Sequence, residues 1–401
     1  MRVLRAWLPG PAGVVILAGV AAALHVAKLA PALPTLRESM GLSLAQAGWL
    51  LSTVQGAGML LGAVMGGLAD GWGLRRCMLT GLVLLTVSST LAPFWPGIPA
   101  MLFLRALEGL GFLMATMPAA ALVRRLVPGQ RLPLMLGVWG TYMPWATALA
   151  LLMGPVIIPW RGWAFWWWLA AALTGLMSRW VRAVVPPDPP VAVGRPGAAG
   201  PAMLDRLRRT WGSRGAWLVA AAFAVYSGQW LAVIGFLPSI VQQAGWSPAS
   251  VAWVTACLAA VNMLGNLASG PLQARGVAPT RLLGCGYGVM ALGAWLAFQE
   301  VWPLDLSARM GAVLLFSMVG GLIPGTLFAQ AVRYAPDEDT VSTTVGWMQQ
   351  CSSLGQFLSP PLAGLLAARV GGWQWTWALT GLCSLAGLLV SAALHRLPPR
   401  R

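Results

Sequence analysis

Four ionisable side chains stand where an ionisable group is costly. His25 and Lys28 are three residues apart in AAALHVAKLAPALP, and Arg105 and Glu108 are three apart in RALEGLG. Both segments are long and apolar. Residues at i, i+3 share one helix face, so each pair presents its polar groups together. Charges inside a membrane segment mark substrate paths, proton relays or mutual pairs. Of ten acidic residues only Glu108 lies inside an apolar span; the rest fall on loops or helix ends. Glu108 and His25 are therefore the candidates to carry a coupling proton. Arg105, Lys28 and a protonated His25 are the candidates to receive an anion. Plainer roles stay open. Arg105 and Glu108 can neutralise each other and fasten one helix to a neighbour. Lys28 lies five residues before Leu33, about 7.5 Å along a helix, and can snorkel to the outer interface. If Arg105 and Glu108 cancel, Lys28 and His25 remain as the unpaired positive groups. That balance points to a small anion or small organic anion as substrate. Tyr142, Tyr226, Gln229, Asn262 and Gln349 complete the expected cavity lining, with Thr141, Trp145, Gln350 and Gln356 as weaker candidates.

The elements that must position these groups follow from composition. The chain of 401 residues is 58% hydrophobic and 9% charged, with mean hydropathy +0.72. Soluble domains carry roughly 25% charged residues, so this is an all-α membrane protein. A transmembrane helix needs about 20 apolar residues. Twelve such stretches are present, near 11–36, 43–67, 75–96, 98–125, 131–156, 163–185, 214–241, 248–272, 279–300, 306–334, 340–368 and 373–394. They are too long for strands and lack strict alternation.

The net charge of +16 has a topological explanation. With the N-terminus in the cytoplasm, 20 of the 25 arginines fall on cytoplasmic segments and 4 outside, and Arg105 stays in the membrane. That bias is the positive-inside pattern, so nucleic acid is not an expected partner. Both termini are expected in the cytoplasm of a bacterial-type inner membrane. Arg2 and Arg5 precede an apolar run, as in a signal peptide, but the run continues past Lys28 to Pro34 and belongs to a repeat. The five cysteines have no metal-ligand spacing and read as small core residues. Tryptophans cluster at helix ends, as in Trp160, Trp163 and Trp166 to Trp168, which is an interfacial belt.

The segment 186–213, rich in Pro, Gly and Arg, separates six spans from six. The division is 1–185 for one bundle, 186–213 for a cytoplasmic linker and 214–401 for the second. The halves repeat. At a shift of 204, ALPTLRESMGLS (32–43) falls on FLPSIVQQAGWS (236–247), and His25 falls opposite Gln229. Gly58, Gly62 and Gly66 fall opposite Asn262, Asn266 and Gly270. Near a shift of 209, VRRLVP meets VRYAP and WRGWAFWWWL meets GGWQWTWAL. The glycine ridge predicts close approach of another helix; the asparagines need a neighbouring helix or a wet cavity. Parallel six-helix repeats place a substrate site at their interface, near the bilayer midplane.

The loop GGLADGWGLRR (66–76) resembles the signature loop of the major facilitator superfamily, with Gly67, Leu68, Asp70, Gly73, Arg75 and Arg76 in order. RALEGLG is similar to that family's second motif. Within the superfamily, PALPTLRESMGLS, MPAAALVRRLVPGQRLPLMLGVWG and SGQWLAVIGFLPSIVQQAGWS look most like the cyanate permease/nitroimidazole transporter (CynX/NimT) group. Ala23 stands where members of that group tend to have an arginine, and TYMPWATALALLMGPVII matches the family's glycine-rich antiporter motif poorly. The resemblance implies two pseudo-symmetric six-helix bundles and secondary active transport by alternating access. It also implies a cytoplasmic gate at Gly67, Asp70, Gly73, Arg75 and Arg76. There Asp70 pairs with a cation or faces a helix N-terminus, and Gly73 makes the turn. The second copy has Ala274 at the aspartate position, so that latch is single. A proton-coupled multidrug or metabolite efflux antiporter is the alternative. No metal cluster, nucleotide loop or nucleophile triad is present. No enzyme activity and no cofactor beyond a coupling proton is expected. The expected partners are a small-molecule substrate and the bilayer, for a monomer.

Overall fold

The computed structural model describes residues 10–95, 97–127, 135, 138–188, 201–337 and 340–397, with backbone alone at 66–71, 201, 202 and 342. The described residues hold helices and no strand. Ten helical runs among them are long and apolar enough to cross a membrane. One, Tyr142–Val184, is two helices joined at Gly162, whose φ of 82° is non-helical. Val341–Val370 is a further helix of 30 residues. Dividing the former and adding the latter gives the expected twelve.

In chain order these are α1 (Pro11–Met40), α2 (Leu44–Thr53 and Gly56–Trp72), α3 (Leu74–Leu91), α4 (Ile98–Leu126), and α5 and α6 (the two parts of Tyr142–Val184). The second half holds α7 (Arg214–Gln243), α8 (Pro248–Ala274), α9 (Pro279–Phe298), α10 (Leu306–Arg333), α11 (Val341–Val370) and α12 (Thr376–His395). Part of the segment read as linker is itself helical, Pro201–Trp211. Its Arg209 pairs with Asp337 before α11 at 2.5 Å.

The repeat is visible in backbone chemistry. Gly41 and Gly245 are 204 residues apart, and both take the positive φ that ends a helix. Two residues on, Ser43 and Ser247 accept the backbone N–H of Gln46 and Ser250 and cap α2 and α8. Pro34 and Pro238, also 204 apart, lie inside α1 and α7. α1 is interrupted at Lys28. Pro31 explains this: it has no N–H for the carbonyl of Ala27, and its ring crowds the preceding turn.

The two bundles meet along α2 and α11. A Cβ on Gly48 would lie 2.6 Å from the carbonyl oxygen of Pro360, and one on Gly62 would lie 2.9 Å from Cβ of Gln350. Gly58 sits against Ser353. Gly58 and Gly62 of the predicted ridge are therefore a contact surface for α11, where close packing replaces a hydrophobic driving force; Gly66 lies where the structure describes backbone alone. At this seam Gln350 does something unusual. Its side-chain oxygen accepts from the N–H of Ala63 at 2.9 Å, and its nitrogen donates to the carbonyl of Met59 at 2.8 Å. Those are the two groups an α-helix pairs with each other. Nearby, Gln55 donates to Gln356 at 3.0 Å.

Candidate functional site

α1, α3, α4 and α6 bring the four ionisable groups into one buried cluster. Lys28, Arg105 and His25 have no exposed surface, and Glu108 is 1% exposed. Lys28 Nζ donates to Glu108 Oε1 at 2.5 Å, to Ser89 Oγ, and to His25 Nδ1 at 3.2 Å. All three ammonium protons are thus used. Arg105 NH1 donates to the other carboxylate oxygen, Oε2, at 2.7 Å and to the carbonyl of His25 at 2.5 Å. Its Nε reaches the carbonyl of Leu50 on α2 at 3.3 Å. Arg105 NH2 is buried and has no acceptor among the described residues.

The tautomer of His25 follows from its neighbours. A lysine can only donate, so Nδ1 accepts and the ring proton sits on Nε2. Nε2 lies 3.4 Å from Thr174 Oγ1 on α6, whose own proton is directed to the carbonyls of Ala170 and Ala171. The Trp167 ring closes the site, 4.7 Å from Lys28 Nζ, and Trp166 Nε1 donates to the carbonyl of Lys28 at 2.9 Å. With His25 neutral, two cations share one carboxylate and the cluster carries a net charge of +1.

Several expectations change here. Arg105 and Glu108 do form the i, i+3 ion pair, but they do not cancel in isolation. Lys28 takes the other carboxylate oxygen, so it is not an unpaired positive group. Nor does it snorkel: α1 turns it inward toward α3, α4 and α6, away from any interface. His25 and Gln229 do not face each other across a cavity. His25 meets Thr174 on α6, and Gln229 accepts from Ser384 on α12 at 3.0 Å. Each polar residue bonds inside its own bundle, and the two bonds are repeat-related. Asn262 also bonds to neighbouring helices, while Asn266 bonds back to Asn262 on its own helix. Asn262 donates to Tyr226 at 3.0 Å and to the carbonyl of Ser317 at 2.8 Å, and Asn266 donates to Asn262 at 3.0 Å. This second-half network is neutral. Ser317 stands 209 residues after Glu108, and Ala232 stands 204 after Lys28. Tyr142 stacks on Trp139 at 4.4 Å and lies 6.5 Å from Phe112. Gln349 is half-buried and makes no side-chain bond among the described residues; its neighbour Gln350 makes the contact across the seam.

At the linker side, Gly73 makes the turn between α2 and α3 with φ 106°. Gly67 and Asp70 lie in the stretch described by backbone alone, so the contacts of the Asp70 carboxylate fall outside the described residues. Among the described residues, the acid that faces the N-terminus of α3 is Asp188, a loop residue in the sequence analysis. Its carboxylate accepts the N–H groups of Arg75 and Arg76, each at 3.0 Å, and pairs with Arg125 at 2.9 Å. Arg75 NH2 also reaches the carbonyl of Arg182 at 2.5 Å. These contacts join α3, α4 and the end of α6 within one bundle. The missed signal was electrostatic: Arg75, Arg76 and Arg125 gather at one membrane face, and Asp188 directly follows α6 on that face. Burial pushes the Asp188 carboxyl up, but the two N–H groups and the Arg125 guanidinium outweigh it and hold the pKa below the ordinary value. Stabilisation by this clamp is therefore full above an unfolded carboxyl pKa of about 3.9 and is lost as pH falls through the folded value. Asp188→Asn is expected to cost about 1 kcal/mol near neutral pH, the upper part of the range for a negative charge at a helix N-terminus. The gap from wild type should close below about pH 4 in detergent unfolding curves; a gap independent of pH would contradict the clamp.

Comparison with known proteins agrees with this architecture. A Major Facilitator Superfamily model matches residues 15–339 and 218–401. The cyanate transport protein CynX of Escherichia coli (strain K12) is 27% identical over 385 residues, covering 90% of each chain. A gentisate transporter of Corynebacterium glutamicum is 25% identical over 358 residues, covering 85% of this chain and 77% of its own. Among solved structures, a bacterial homolog of the human lysosomal transporter Spinster, in an inward-facing conformation, superposes with TM-score 0.74. It is 14% identical and covers 96% of this chain and 95% of that one.

Proposed function

Since the chain belongs to the Major Facilitator Superfamily, whose fold works by alternating access, we propose that it transports a small organic anion across the bacterial inner membrane. The single observation that carries this is the charge balance of the buried cluster. Lys28 and Arg105 share Glu108, and the buried NH2 nitrogen of Arg105 has no acceptor among the described residues. Unsatisfied buried donors are rare, and a net buried charge is costly unless compensated. An anion near Arg105 supplies both the missing acceptor and the missing charge. Two similar proteins are named for anions, cyanate and gentisate, which supports the same substrate class. Both termini and the linker face the cytoplasm in this proposal, following the arginine distribution.

A second reading concerns coupling. His25 Nδ1 lies 3.6 Å from Glu108 Oε1, so a proton added to His25 would replace the bond that Nδ1 accepts from Lys28 and form an ion pair with the carboxylate. Proton-coupled efflux of drug-like compounds uses that same pair. Exchange assays on proteoliposomes separate the two. Preloaded small carboxylates are expected to drive uptake of labelled carboxylate, while lipophilic cations do not compete. Exchange of cations with no exchange of carboxylates would overturn the anion proposal.

A further inference from the structure

Away from this cluster, a cavity of about 200 Å³ opens between the linker-side ends of α7 and α12, lined by Arg214, Leu389, Ala392, Ala393, Arg396 and Leu397. Two features of its lining stand together. The first is charge. Arg214 opens α7 and Arg396 directly follows α12. Both are exposed, no acidic residue lines the cavity, and neither guanidinium has a partner among the described residues. Guanidinium groups that are not used by the protein match a phosphate diester, to which arginine donates in a planar fork. The second is an apolar track. Leu382, Leu385 and Leu389 are 68%, 54% and 63% exposed. Their spacing of three and four places them on one face of α12, and the row leads from the bilayer interior to the cavity mouth. Ala392 and Ala393 leave the mouth open, where larger side chains would fill it. Trp217, one turn into α7 from Arg214 and 46% exposed, marks the depth of the headgroup region.

We propose that this cavity is a binding site for an anionic phospholipid of the leaflet on the linker side. Its phosphodiester sits between Arg214 and Arg396, and an acyl chain lies along Leu389, Leu385 and Leu382. Basic pockets between membrane helices hold lipid headgroups in this manner. A free phosphate matches the arginines but leaves the leucine row unused. A zwitterionic lipid matches the leucines but not two unpaired cations.

The test is native mass spectrometry of the whole protein with phosphatidylglycerol, phosphatidylcholine and inorganic phosphate as separate probes. Wild type is expected to retain phosphatidylglycerol at least tenfold better than Arg214→Gln/Arg396→Gln, with phosphatidylcholine unaffected. Ala393→Leu, which fills the cavity without altering charge, should lose the same adduct. Arg275→Gln/Arg281→Gln, which removes two exposed arginines elsewhere on the same side, should retain it. Three results would overturn the site. They are equal retention by the Arg214/Arg396 variant, equal loss in the control pair, and displacement of the lipid by inorganic phosphate, which would assign the cavity to a free anion.

Discussion

Glu108→Gln is expected to destabilise the protein by about 3–5 kcal/mol, the range for leaving a buried charge without its partner. The substitution removes the carboxylate shared by Lys28 and Arg105 and raises the net charge of a fully buried cluster from +1 to +2. Bulk solvent does not reach it, because His25, Lys28 and Arg105 have no exposed surface. The expected readout is a large fall in the apparent unfolding temperature in detergent. Lys28→Met/Glu108→Gln returns the cluster to +1 and replaces a buried ion pair with groups of similar size. Such replacements are often neutral, so the double variant should recover most of the lost stability. Glu108→Gln unfolding at the wild-type temperature would show that the carboxylate does not hold the cluster together.

Gln350→Leu is expected to shift the balance between conformations. In the structure its amide is spliced between Ala63 N–H and the Met59 carbonyl, and Gly62 provides the space for its close approach. Two net hydrogen bonds of about 0.5–1.5 kcal/mol each join the bundles at a seam that alternating access must remodel. Their loss should disfavour this conformation by about 1–3 kcal/mol, roughly a 5- to 150-fold change in populations. α2 can close its own Met59–Ala63 bond once the amide is gone, so the effect falls on the seam and not on the helix. Gln350→Glu should act more strongly, since an ionised carboxylate cannot donate to the Met59 carbonyl. Gly62→Val should also open the seam, because its Cβ would lie 2.9 Å from Cβ of Gln350. Spin labels replacing Trp72 and Thr343, in a background without the five cysteines, report the linker-side gap between α2 and α11. A longer-distance population should appear in all three variants. An unchanged distance distribution in Gln350→Leu and Gln350→Glu would remove Gln350 from the seam's energetics.

The helices, the duplicated halves and the family were legible because each depends on signals read along one chain. Hydropathy gave the spans, and the shift of 204 aligned Leu33-Pro34 with Leu237-Pro238. Arg105 and Glu108 were legible as a pair because helix geometry alone joins i to i+3. The meeting of Lys28 with Glu108 was not. It depends on how α1 and α4 are rotated about their axes, which a uniformly apolar sequence does not encode. α1 is buried almost all round, so no polar face marked its inner side. The same limit applies to Gln349 and Gln350. Adjacent residues point about 100° apart on a helix, and only the position of α2 decides which one reaches it. Asp188 was hidden for a different reason. Its partners are two backbone N–H groups and an arginine on other helices, and none of these leaves a local pattern.

Counterflow of a labelled small carboxylate into proteoliposomes, compared between wild type and Arg105→Met/Glu108→Gln, which removes the guanidinium whose NH2 lacks an acceptor and leaves Lys28 as the one charge, bears most directly on the proposed role of the cluster. The double variant keeps the cluster's net charge and is expected to keep its fold, so lost flux cannot be blamed on unfolding if the two unfold alike. Saturable counterflow in wild type and at least a tenfold loss in the double variant is the expected result. Wild-type counterflow retained in a folded double variant would contradict a role for Arg105 in binding the transported anion.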